Sequence, residues 1–190
     1  LADPIPLTLR VYRKLSSAMV PLSPALINRR LRLGKEDPAR IGERRGVSNG
    51  VRPAGPLVWV HGASVGEVLA AAALIERLRA LNLRILLTSG TVTSAAIVAK
   101  RFPADVIHQY VPYDSPRYVA RFLDHWRPSL ALFIESDLWP NLILSSAARR
   151  VPMVLINGRM SQRSFQRWRR MSGTISALLR RFDVCPAPSQ

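Results

Sequence analysis

One short stretch concentrates groups that could do chemistry: His61-Gly62-Ala63-Ser64-Val65-Gly66-Glu67. An apolar, strand-like run, Leu57 to Val60, leads into it, and an Ala/Leu-rich helical pattern follows from Val68 to Leu81. Strand, glycine turn and helix form an α/β site loop. The arrangement sets the Glu67 carboxylate in the first turn of a helix, where free N–H groups and the dipole favour the ionised form. An ionised carboxylate in a cleft can act as general base on a hydroxyl. Acids also stand at helix starts for structural reasons alone, so both readings apply. Gly62-Ala63-Ser64-Val65-Gly66 also satisfies the G-x-S-x-G nucleophile elbow. A serine hydrolase using Ser64 therefore stays open. Against it, the elbow falls on the first strand of the unit, and His108 and His125 do not follow strand ends.

Further candidates lie downstream. Glu135 and Asp137 flank Ser136 just after an apolar run and before Trp139-Pro140-Asn141. Paired acids suit proton transfer or a metal; alternatively Ser136 or Asp137 caps the next helix while Glu135 faces the site. Thr88, Ser89, Thr91, Thr93 and Ser94 form a hydroxyl-rich loop opening a helix, a cradle for phosphate or sugar. Arg159 follows Gly158 at a strand end, placed for an anionic group. No Cys/His set has zinc spacing, and no P-loop occurs.

These residues need elements to position them. Strand-like runs at 57–61, 84–88, 106–111, 129–134, 152–156 and 182–186 alternate with helical patterns at about 67–81, 93–101, 116–126, 138–150 and 161–181. Strict alternation with near-continuous apolar strands predicts a Rossmann-like α/β domain, a parallel sheet with helices on both faces, over 57–190. In such sheets ligands bind beyond the carboxyl ends of the strands, where every loop named above falls. Residues 34–56, charged and rich in Gly and Pro, read as a linker. Over 1–33, Leu7, Val11, Leu15, Ala18, Met19 and Leu22 fall on one helical stripe, with Arg10, Arg13, Lys14 and Ser17 facing away. Such a segment lies on a membrane surface or docks on its own protein. It has neither the ~20 apolar residues of a membrane span nor the core of a signal peptide.

The chain has 190 residues and a formal charge of +16. Residues 1–50 carry ten basic and four acidic groups, and Leu138 to Phe182 hold nine arginines and no acid. Such a surface suits an anionic partner. No RRM, KH or helix-turn-helix pattern occurs and the few aromatics are not interleaved with the basic residues, so nucleic acid is not expected. A non-catalytic module that binds anionic lipid is the remaining alternative. The single cysteine, Cys185, fits a reducing compartment and reads as core. Starting at Leu1 and stopping at Gln190 in mid-pattern, the sequence reads as a piece of a longer protein.

Taken together, His61-Gly62-Ala63-Ser64-Val65-Gly66-Glu67, Pro112-Tyr113-Asp114, Glu135-Ser136-Asp137-Leu138-Trp139-Pro140-Asn141 and Asn157-Gly158-Arg159-Met160-Ser161-Gln162-Arg163-Ser164 resemble the N-terminal half of the 3-deoxy-D-manno-octulosonic acid (Kdo) transferases. The similarity covers roughly residues 30–190. Ser94 and Gly158 depart from it, standing where many relatives carry Gly and Ala. The resemblance implies the acceptor-binding domain of an inverting, metal-independent, two-domain GT-B glycosyltransferase without cofactor. That enzyme would move Kdo from CMP-Kdo to a phosphorylated lipid A precursor at the cytoplasmic face of the inner membrane. It further implies Glu67 as general base, Glu135 as supporting carboxylate, and Ser64, Gly66, Thr91, Thr93 and Arg159 as substrate contacts. Most donor contacts would come from a C-terminal domain absent here, so the isolated fragment should be inactive.

Overall fold

The computed structural model describes residues 4–135, 138–158, 166, 168–169 and 171–185. Its strands are β1 (Leu57–His61), β2 (Arg84–Ser89), β3 (Val106–Tyr110), β4 (Leu130–Ile134) and β5 (Met153–Ile156). Its helices are α1 (Leu7–Ala18), α2 (Ser23–Arg32), α3 (Ile41–Arg44), α4 (Val65–Ala70), α5 (Ala72–Ala80), α6 (Val92–Arg101), α7 (Pro116–Trp126), α8 (Pro140–Ala148) and α9 (Ser172–Leu179).

The five strands form one parallel sheet in the order β3-β2-β1-β4-β5. All of β1 is buried, as a central strand covered on both faces must be. Its side chains divide with the pleat. Leu57 and Trp59 join Leu86, Ala131 and Phe133 in one core, beneath α7, α8, α9 and Leu9 of α1. Val58 and Val60 join Ile85, Leu87 and Leu132 in the other, beneath Val68 of α4, Ile75 of α5 and Val98 of α6. The expected doubly covered Rossmann-like sheet is the observed one. From β1 the chain steps outward through β2 to β3, then returns to place β4 on the far side of β1. The strand order thus reverses between β1 and β4, and in such sheets ligands bind beyond the carboxyl ends of the strands at that switch point.

Several local expectations are corrected. The helix read over 67–81 starts at Val65, behind a Ser64 cap, and is interrupted at Ala71. The run at 182–186 contributes a single bridge, Val184 to Val154, rather than a sixth strand among the described residues. Cys185 is exposed, not core. Of the helical pattern at 161–181, residues 161–165, 167 and 170 lie outside the described residues.

The stretch read as a linker is packed into the fold along its first half, where Glu36, Glu43 and Arg44 are buried. Glu43 accepts the Tyr110 N–H at 2.7 Å, and Arg40 donates to the His108 carbonyl at 2.9 Å. Together they satisfy the open edge of β3, which would otherwise template pairing with another chain. Gly46 (φ +75°) ends α3 so close to α7 that a Cβ there would lie 2.0 Å from the Tyr118 carbonyl oxygen, leaving room for glycine alone. Arg52 then donates to the Trp126 carbonyl (2.9 Å), satisfying an acceptor at the carboxyl end of α7.

Residues 4–33 present two different faces. One face docks: Leu9 and Ile27 are each 1 % exposed. Thr8 bonds Thr174 (2.6 Å), Ser16 accepts from the Asn141 amide (2.9 Å) and Ser23 bonds Tyr118 (2.7 Å). The stripe of Leu7, Val11, Leu15, Met19 and Leu22 faces outward, exposed by 45–69 %. No helix among the described residues is long and apolar enough to cross a membrane.

Candidate active site

At the end of β1 the chain turns sharply. The Ser64 hydroxyl accepts the Glu67 N–H (3.3 Å) and donates to Glu67 Oε1 (2.8 Å), while the Ala63 N–H donates to Glu67 Oε2 (2.6 Å). This is a reciprocal N-cap that immobilises the carboxylate over the first turn of α4. A carboxylate offers about four lone-pair sites, so two remain for a substrate hydroxyl. Glu67 is half-buried, and Ser64 and Gly66 are exposed at the rim. Gly66 brings bare backbone to the surface there, with Ser64 Oγ 3.9 Å from the position a Cβ would take.

The Ser64 hydroxyl is thus engaged in the cap of α4 on both its donor and acceptor sides, and no histidine is among its partners. The histidines have other partners: His108 Nε2 meets Ser89 Oγ (2.9 Å), His125 Nε2 meets the Gly50 carbonyl (2.8 Å) and His61 Nδ1 meets Thr88 Oγ1 (2.9 Å). Burial pushes His61 down to about 4, against the pull of the Glu67 charge, so a neutral imidazole underlies the turn.

The hydroxyl-rich loop divides between fold and rim. Thr88 accepts from the Trp59 indole (2.8 Å), and Ser89, Ser94 and Thr88 are fully buried. Thr91 and Ser94 close a capping box on α6, with Thr91 Oγ1 accepting the Ser94 N–H (3.0 Å) and Ser94 Oγ accepting the Thr91 N–H (3.1 Å). The cradle therefore shrinks from five hydroxyls to two at the surface, Thr91 and Thr93.

Glu135 follows β4 two residues after Phe133, the partner of His61 in the ladder. It lies just past the end of β4, the strand that pairs with β1. Its N–H donates to the Ile156 carbonyl (2.8 Å) and its φ is +60°. A left-handed glutamate costs on the order of 1–3 kcal/mol, and such positions concentrate at functional sites. The sequence motif gave no sign of this conformation. Asp137, Ser136 and Arg159 lie outside the described residues.

Two groups hold the rim together in roles that the sequence did not disclose. The first is Asp114, part of the Pro112-Tyr113-Asp114 motif. It accepts the N–H of Asn141 (3.0 Å) and of Leu142 (2.9 Å) at the start of α8. It also accepts the Tyr12 hydroxyl (2.9 Å) from α1. Burial nevertheless raises its pKa above the ordinary carboxylate range, the hydrogen bonds opposing.

The second is the buried pair of Arg44 and Glu36. Arg44 bonds Glu36 (2.7 Å), the Val111 carbonyl (3.1 Å) and the Gly90 carbonyl (2.7 Å). Gly90 N–H in turn donates to the Ala63 carbonyl (2.9 Å), beside Glu67. Burial alone would raise the Glu36 pKa, but the bonds from Arg44, Arg30 and Tyr113 outweigh it and hold the group ionised. Three acids, Glu36, Asp37 and Glu43, clustered in an otherwise basic stretch were the available signal. Among the described residues no three His, Cys, Asp or Glu side chains gather as a metal set.

Parallel sheet, strand-order reversal and carboxylate turn define a Rossmann-like α/β domain with its candidate site at the carboxyl ends of β1 and β4. Residues 39–190 match the family model of 3-deoxy-D-manno-octulosonic-acid transferase (kdotransferase). The chain is 37 % identical over 179 residues to the probable 3-deoxy-D-manno-octulosonic acid transferase, mitochondrial, of Arabidopsis thaliana, covering 92 % of this chain and 40 % of that protein. It is 36 % identical over 177 residues to the 3-deoxy-D-manno-octulosonic acid transferase of Rickettsia bellii, covering 92 % and 42 %. Against that of Haemophilus influenzae the identity is 34 % over 151 residues, covering 78 % and 35 %. The chain belongs to the Kdo transferase family. It spans about 40 % of the length of the first of these relatives.

Proposed function

We propose that the protein to which this chain contributes transfers Kdo from CMP-Kdo to a hydroxyl of a phosphorylated lipid A precursor, with Glu67 as general base. The observation that carries this reading is the cap at Glu67: its carboxylate is fixed by the Ala63 N–H and the Ser64 hydroxyl at the carboxyl end of β1, where the strand order reverses. The acceptor hydroxyl gives its proton to Glu67, and its oxygen forms a bond to the anomeric carbon of Kdo from the side opposite the phosphate. The carbon–oxygen bond to CMP breaks with its electrons staying on the phosphate, so configuration inverts. A phosphate leaves well without an acid or a metal. Glu135, just after the neighbouring strand β4, supports the developing positive charge at the sugar. Gly66, Thr91, Thr93 and Arg159 contact the acceptor together with Ser64.

The outward apolar stripe and the basic residues beside it suit peripheral attachment to an anionic membrane, the cytoplasmic face of the inner membrane in this reading. The donor would be held mostly by a further domain, so the fragment alone should not turn over.

The test uses the full-length protein, CMP-Kdo and an acylated lipid A precursor, following product mass with and without EDTA. One or more Kdo units should be added in both conditions. Glu67→Gln should slow transfer by about 10²–10⁴-fold, as expected for loss of a general base, with the unfolding midpoint unchanged. Near-normal turnover in that variant would remove the assignment.

A further inference from the structure

A groove of about 230 Å³ lies between the turn joining α1 to α2 and the loop that leads from β3 into α7. Met19, Leu22, Leu26 and Tyr118 supply its apolar walls, and Asp114 and Ser115 line it from the loop. Resting on the reading above, we propose that this groove holds one acyl chain of the acceptor lipid, with the Ser115 hydroxyl donating to the carbonyl at the head of that chain.

Three observations carry it. Met19, Leu22 and Leu26 are at once groove walls and exposed by 49–58 %, so the groove opens onto the same outward apolar face as Leu7, Val11 and Leu15. With that face against a bilayer the mouth is closed to water, and hydrocarbon is what remains to fill an apolar slot. Charge agrees: from Pro4 to Lys35 the chain has seven basic residues and no acid, complementary to a phosphorylated lipid headgroup. The third observation is Ser115 itself. It is 5 % exposed, its side chain does not cap α7, and its Oγ has no hydrogen-bond partner. A buried hydroxyl left without a partner is unfavourable, and a ligand carbonyl would supply the missing bond.

The source is the acceptor rather than bulk lipid because the groove loop belongs to the rim. Arg44 holds the Val111 carbonyl at the start of this loop and the Gly90 carbonyl with one guanidinium, and the Gly90 N–H donates to the Ala63 carbonyl, so three hydrogen bonds join the groove loop to the Glu67 turn. A chain seated here fixes its own headgroup near the base.

The test uses full-length protein in detergent micelles with two acceptors, the acylated precursor and the same phosphorylated disaccharide stripped of its chains. Val20→Trp, which fills the groove, should cut the ratio of kcat/KM for acylated over chain-free acceptor at least tenfold. Ser115→Ala should raise KM for the acylated acceptor several-fold while leaving the unfolding midpoint unchanged or higher, the opposite of what a structural serine does. In parallel, an acceptor carrying a diazirine in one acyl chain should label the peptides spanning Val20–Leu26 or Tyr118, and Val20→Trp should abolish the label. Equal losses on both acceptors, or no label in those peptides, would overturn the proposal. So would equal labelling by phosphatidylglycerol with a diazirine chain, which would make the groove a bulk-lipid site. Wild-type protein that turns over neither acceptor would defeat the proposed transfer instead, and the labelling arm would still judge the groove.

Discussion

Arg44 and Gly90 are joined by a 2.7 Å hydrogen bond from the guanidinium to the carbonyl, across 46 residues of chain. Through it, a segment outside the sheet sets the position of the loop after β2. That loop in turn holds the Ala63 carbonyl next to Glu67.

Removing the charge from Arg44 leaves the buried Glu36 carboxylate with Arg30 and Tyr113 alone. Arg44→Met should therefore destabilise the fold by about 1.5–3 kcal/mol, the scale of a lost charged hydrogen bond, read as a lowered urea midpoint. Arg44→Lys should recover only part of this, because an ammonium cannot reproduce the fork that meets Glu36, Val111 and Gly90 together. Full recovery by lysine would show that charge alone matters there.

Gly90 is a second sensitive point. A Cβ built on it would lie 2.7 Å from the Ala63 carbonyl oxygen, so Gly90→Ala must push the turn that carries Glu67. Turnover of the full-length enzyme should fall at least tenfold, the scale of a misplacement of about 1 Å at a reacting group. Unchanged kcat would mean that the turn relaxes without moving the base.

Acid should unfold the protein through its histidines. Burial holds His61 at about 4, and burial together with Arg40 and Arg44 holds His108 at about 3, both below the ordinary 6.5. The unfolded chain therefore binds more protons than the folded one below about pH 6.5. Stability is complete above that pH and drains as pH falls toward 4 and 3. Between about pH 7 and pH 5 the loss should be on the order of 2 kcal/mol per histidine. Glu36, held below its ordinary value, adds a further loss at lower pH, while Asp114, raised by burial, works in the opposite direction there. His108→Gln should make the urea midpoint roughly half as steep in pH; a midpoint flat from pH 7 to 5 in the unmodified protein would contradict this account.

The periodic part of the design was legible in the sequence. Five apolar runs became strands within a residue or so of their expected bounds, because a strand buried on both faces leaves an uninterrupted apolar signature. Glu67 was legible for a related reason, since strand, glycine turn and helix are contiguous. Contacts across long sequence distances were not. Asp114 caps α8 from 27 residues away, and Glu43 meets β3 from 67. Nothing in local spacing reports such a pairing. The hydroxyl loop misled for a different reason: residue type does not say whether a threonine faces ligand or, like Thr88, a buried indole. Cys185 failed because its strand-like run makes only one bridge.

The two-faced character of α1 bears on how a tractable protein could be prepared. Trimming the N-terminus to improve handling would open the socket of Leu9, take Tyr12 from Asp114 and leave the start of α8 less firmly held. Repainting is the safer route. Polar side chains at Leu7, Val11 and Leu15 would alter only the outward surface, and the joints that α1 makes with the rest of the molecule would stay in place.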